Sequence, residues 1–132
     1  HIPRHGGACP RWNVHAAFLQ PGAINIQISQ MPDGATFFCI ARTVLNAAGG
    51  YGEPHSYQSI GLGCEIGQAS KLVYANGIDL DRPERTIPIG VSCRICPRMD
   101  CGQRAFPPVA HALETDINTR GVSAYVTATE TD

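Results

Sequence analysis

The chain has 132 residues, 43% of them hydrophobic and 16% charged, enough apolar material for a single core and too little for two. Its 14 Gly and 10 Pro imply many turns and irregular connections. A net charge of -1 gives no field for holding a phosphate backbone nonspecifically, no apolar run approaches the roughly 20 residues of a membrane span, and no charged-then-apolar leader is present.

In chain order, Cys9-Pro10 opens a short helix over residues 11–19, with Pro at its first position, Val14 and Phe18 on one face, Trp12 and His15 on another, and Pro21-Gly22 ending it. Ile24, Ile26 and Ile28 then alternate with Asn25, Gln27 and Ser29. Pro32-Asp33-Gly34 turns this strand into a second one over residues 36–43, so the pair predicts a hairpin. Residues 46–54, rich in Gly and Ala and without period, predict a surface loop leading to a strand at residues 57–64. Residues 67–74 suit a brief helix closed by Asn76-Gly77, and residues 86–92 a strand that runs straight into a cysteine cluster. Val122, Ala124, Val126 and Ala128 predict a last strand. The expected fold is one α+β domain over residues 1–132, with a central, mainly antiparallel sheet, short helices and an irregular cysteine-rich metal loop.

That loop, Cys93-Arg94-Ile95-Cys96-Pro97-Arg98-Met99-Asp100-Cys101, places three thiols where they can converge on one centre without distant chain. Tetrahedral zinc and four-iron clusters both usually take four cysteine sulfurs, so one further thiol is required. A tight Cys-x2-Cys-x4-Cys cluster in a chain without a signal peptide points to metal in a reducing cytosol rather than to disulfides. The fourth thiol is expected to be Cys64. It directly follows one strand as Cys93 follows the next, and a strand-helix-strand unit returns its second strand parallel, so both strand ends open on one sheet edge. Cys9, at a helix start where the macrodipole favours thiolate, is the runner-up, as ligand, reactive thiol or ordinary packed cysteine. Cys39, in mid-strand, reads as a small buried hydrophobe. Four thiolates around zinc or an oxidised four-iron cluster carry a net charge of about -2, which Arg82, Arg85, Arg94, Arg98 and Arg104 can offset. The one wide Cys-x4-Cys step and Pro97 lean towards iron-sulfur, with zinc left open.

The runs GGACPRWNVHAAF from Gly6, GLGCE from Gly61, LVYANGIDL from Leu72 and PIGVSCRICPRMDCGQRAFPP from Pro88 resemble the C-terminal domain of the short-chain fatty acyl transcriptional regulators of actinobacteria, and among these the regulators of propionate metabolism. The resemblance implies an effector-sensing domain that binds a short-chain acyl-coenzyme A and holds a 4Fe-4S cluster. On its motifs Cys93, Cys96 and Cys101 match the family's clustered cysteines and Cys64 that of GLGCE. It also implies a helix-turn-helix DNA-binding region before this domain. The chain shows no such pattern and lacks an initiator Met, so it is expected to be part of a longer, cytoplasmic protein, possible as a homo-oligomer.

Coenzyme A asks for cations at its phosphates, a flat group at adenine and an apolar recess for the acyl tail. Arg4, His5, Arg11, Trp12, His15 and Arg42 are the candidates for the first two, with core packing as the alternative for Trp12. Nine Arg against the single Lys71 suit anion capture, though a GC-rich genome produces the same bias. No nucleophile-base pair or hydrolase motif is present, so no enzyme is expected. The competing role is a protein-interaction domain stapled by structural zinc.

Overall fold

The computed structural model describes residues 7–46, 50–110, 112–114, 118, 121 and 125–127. A short helix, α1 (Asn13–Ala16), runs on into a 3-10 turn (Ala17–Leu19). It is followed by strands β1 (Asn25–Gln30), β2 (Thr36–Asn46) and β3 (Ser56–Glu65). Two 3-10 segments, Ile66–Lys71 and Val73–Ala75, replace the single predicted helix, and β4 (Thr86–Pro88) is half as long as expected. A separate two-stranded pair joins β5 (Leu113–Glu114) to β6 (Val126–Thr127). The predicted last strand survives in this pair, while its positions 122, 124 and 128 lie outside the described residues.

The hairpin forms for the reason the sequence supplies. Gly34, at φ +90°, takes the left-handed conformation that L side chains resist, and Asp33 Oδ1 accepts the Ala35 N–H at 3.0 Å. The register then places Ile26 opposite Ile40 and Ile28 opposite Phe38. β3 adds to the other side of β2, with Leu62 opposite Ile40 and Cys64 opposite Phe38.

The sheet order is β3-β2-β1-β4, antiparallel except where β4 runs parallel to β1. The α+β plan with a mainly antiparallel sheet is therefore the observed fold. Alternation along the strands gives the sheet two apolar faces. On one, Ile28 and Phe38 pack with Ala69 and Ala75 from the 3-10 segments, and Ile40, Cys64, Ile66, Ile78 and Leu80 close around them. On the other, α1 lies against β2 and β3 so closely that a Cβ on Gly61 would stand 2.6 Å from Val14 Cγ1. Asn13 pins the helix by donating from Nδ2 to the carbonyls of Asn25 (3.2 Å) and Cys39 (3.3 Å).

Candidate metal centre

Beyond β4 the ladder continues one residue further, where Ile89 N–H donates to Gln30 O at 2.9 Å, and the chain then breaks away into the cysteine loop. Cys93–Ile95 forms a 3-10 turn, closed by Cys96 N–H to Cys93 O at 3.4 Å. This turn carries two thiols on one knuckle. The segment before α1 is lashed to the same place, because Cys9 N–H donates to Val91 O at 3.1 Å and Trp12 Nε1 to Gly90 O at 2.8 Å. The result is a narrow recess lined by Cys9, Cys93, Cys96, Cys101, Gly90, Arg98 and Arg104 among others.

Of the other three thiols, Cys9 and not Cys64 lines this recess with the trio. The expectation for Cys64 was right about direction, since β3 and β4 do run the same way, but β2 and β1 lie between them. Cys64, Phe38, Ile28 and Thr86 stand in one row across the sheet, so at about 4.8 Å per strand roughly 14 Å separates Cys64 from the start of β4. Its side chain is in the core layer with Phe38, under the 3-10 segments. Cys39 lies in mid-strand, as expected, half-buried; burial raises its thiol pKa, the nearby Cys64 adds to that, and a hydrogen bond with Ser29 opposes it.

The recess has the chemistry of a thiolate centre. Cys9 and Cys93 are buried, and Cys96 and Cys101 half-buried. Burial raises the pKa of Cys9, backbone hydrogen bonding from Arg11 and Gly90 lowers it, and the neighbouring Cys93 and Cys96 push it up again. Mutual repulsion of this kind is what a bound cation would relieve. Ala105 N–H donates to Cys93 Sγ at 3.4 Å. Gly90 is a cradle: a Cβ there would lie 3.0 Å from Cys96 Sγ. Among the described residues no three Cys, His, Asp or Glu side chains are already gathered round a single-ion position, which for zinc at about 2.3 Å would need sulfurs about 3.8 Å apart.

The arginines sort into two groups. Arg82 is drawn away by Asp79, at 2.9 Å, and Arg94 covers the ring of Phe106, 4.8 Å from its centroid. Arg98 and Arg104 line the recess.

Of the described residues expected to bind coenzyme A, Arg42 stands apart from Arg11, Trp12 and His15. Arg4 and His5 lie outside the described residues. Arg11 borders the cysteine recess, and its carbonyl accepts from Gln27 Nε2 at 3.0 Å. Trp12 is half-buried and committed to Gly90, which is the packing role, while His15 is exposed on α1. Arg42, paired with Ile60, sits on the opposite face of the sheet from α1, beside an apolar trough walled by Ile24, Ile40, Val44, Ile60, Leu62 and Tyr74. Sequence reasoning ranked Cys9 second to Cys64, although Trp12, three residues on and in need of an acceptor for its indole N–H, was a signal that this segment is tied down elsewhere. No helix among the described residues is long and apolar enough to cross a membrane.

Comparison with known proteins gives the same answer throughout. The family model described as short-chain fatty acyl coenzyme A regulator, C-terminal, matches residues 1–125. The HTH-type transcriptional regulator RamB of Mycobacterium tuberculosis is 47% identical over 128 residues, 96% of this chain and 27% of its own length. The propionyl-CoA carboxylase regulator of Cereibacter sphaeroides is 47% identical over 122 residues, 92% of this chain and 26% of its own. A solved structure of a Mycobacterium tuberculosis transcriptional regulator superposes with a TM-score of 0.85 at 44% identity, over 96% of this chain and 38% of that one. The chain therefore spans about a quarter of the curated relatives it matches.

Proposed function

The chain belongs to the short-chain fatty acyl coenzyme A regulators, as their C-terminal domain, and on that premise we propose that it is the effector-sensing end of a cytoplasmic transcriptional regulator, holding a 4Fe-4S cluster and responding to a short-chain acyl-CoA. The relatives are transcriptional regulators rather than enzymes. DNA contact belongs to a helix-turn-helix region outside this chain, and the genes controlled are those of propionate and short-chain fatty acid metabolism.

One observation carries the metal half of this reading: four thiols from two distant segments, Cys9 and the Cys93, Cys96, Cys101 trio, open on one recess that Arg11, Arg98 and Arg104 also line. Cys9 would serve as ligand together with the trio. The iron-sulfur reading over zinc is supported by the wide Cys-x4-Cys step and Pro97. Such a cluster supplies one-electron redox chemistry and a covalent brace. The protein's own part is to hold two segments far apart in sequence at fixed spacing, the hydrogen bonds from Cys9 to Val91 and from Trp12 to Gly90 tying them beside the centre.

For the effector, the trough beside Arg42 supplies an apolar surface with a cation at its rim, the chemistry an acyl thioester with a phosphorylated carrier would use. An effector acts on an attached DNA-binding region only by binding two states unequally.

Anaerobically purified protein tests the cluster. Thiolate-to-iron charge transfer absorbs near about 400 nm and zinc does not, so brown protein containing iron and sulfide is expected. Colourless protein holding only zinc would refute the iron assignment and favour a structural staple. Calorimetry with acetyl-, propionyl- and longer acyl-CoA tests the effector. No heat and no thermal shift with any of them, for the regulator as a whole, would remove that half.

A further inference from the structure

Arg104 is 7% exposed, a depth at which a guanidinium is costly unless its charge is answered. Nη1 donates to the carbonyls of Cys93 (2.6 Å) and Phe106 (3.4 Å). Nη2 donates to those of Cys96 (2.9 Å) and Arg98. These partners satisfy donors and leave the charge uncancelled. Nε is buried with no partner at all. Among the described residues the one ion pair, Arg82 with Asp79, is elsewhere and exposed.

The groups able to answer Arg104 are the thiols with which it lines the recess. Arg98 lines it too, its Nε donating to the carbonyl of Ile89 and its Nη2 to those of Gln30 and Met31. Arg11 borders it as well, so cationic residues surround four thiols, which around a divalent metal or an oxidised four-iron cluster carry a net charge of about -2.

We propose that Arg104 is a positioning residue of the metal centre: the buried counter-charge of four thiolates, clamping the backbone of both knuckle cysteines while it neutralises their sulfurs. This assignment rests on the metal reading above. The carbonyls it grips belong to Cys93 and Cys96, so one side chain fixes both the spacing and the charge of the knuckle.

The chain and its variants R104K and R104Q, reconstituted anaerobically with iron and sulfide and separately with zinc(II), provide the test. The readouts are metal per chain, competition with a chelator and, for iron, the midpoint potential. R104Q is expected to yield its metal about 10- to 100-fold more readily and to show a lower midpoint potential, because removing a nearby positive charge disfavours the added electron. R104K keeps the cation without the planar fork, so it should hold the wild-type potential while losing part of the affinity. If R104Q does not fold, R104K decides alone: weakened retention at an unchanged potential supports the assignment, and unchanged retention overturns it. Variants that retain metal within about twofold of wild type, against the loss expected of a supporting residue, and keep its midpoint potential overturn it, as does R104K shifting the potential as far as R104Q. Wild-type chain that loads neither iron nor zinc overturns the metal reading itself, and with it the role of Arg104.

Discussion

Serine in place of Cys9 or of Cys64 separates the two candidate fourth ligands. The substitution is nearly isosteric, but a hydroxyl remains protonated where a thiol would ionise onto a metal. Apparent binding energies of zinc in four-ligand peptides are about 10–16 kcal/mol, so an even share per ligand is roughly 2.5–4 kcal/mol, or about two to three orders of magnitude in affinity. C9S removes a buried thiol that lines the recess with the trio, and it should lose that much. C64S acts on a side chain packed with Phe38 and Ala69. It should cost about 1–3 kcal/mol of folding stability, through a hydroxyl short of partners in an apolar layer, and leave metal affinity alone. Metal analysis and chelator competition read the first effect, and denaturant unfolding of the metal-free chain reads the second. Metal retained in C9S and lost in C64S would refute the placement of the centre.

Three further outcomes are expected. G90A forces a methyl to within 3.0 Å of Cys96 Sγ; overpacking of this kind costs about 1–3 kcal/mol, and it should appear as weakened metal retention with the far-ultraviolet circular dichroism unchanged. G61A collides with Val14 Cγ1 and should destabilise by a similar amount, roughly 1–3 kcal/mol; adding V14A should restore much of it, whereas additive losses in the double mutant would deny the contact. Cys39 has a thiol pKa raised above its ordinary value of 9.0, first by burial, so the unfolded chain ionises before the folded one and stability contributed below that pH is lost as pH climbs through and beyond it. Unfolding free energy of the metal-free chain should therefore decline more steeply above pH 9.0 than that of C39A, and parallel pH profiles would exclude the effect.

Local signals made the hairpin legible. Alternation at Ile24, Ile26 and Ile28 and the Asp33-Gly34 turn act over a few residues, so sequence alone placed β1 and β2 almost to their ends. The same holds for the knuckle, where Cys93 and Cys96 share one 3-10 turn, and for the motifs that carry the family resemblance. What sequence could not settle was which strands become neighbours. The parallel orientation of β3 and β4 followed from a local rule, but the interposed β1 and β2 depend on which edge of β1 remained open once the hairpin and β3 had formed, and that is a property of the assembled sheet. The same assembly turned Cys64 inward over Phe38, brought Cys9 to Val91 across the chain, and buried Arg104 among carbonyls. Composition and spacing supplied the thiols; only tertiary packing chose which four share a recess, because hydrogen bonds spanning some eighty residues, such as Trp12 to Gly90, leave no periodic trace in sequence.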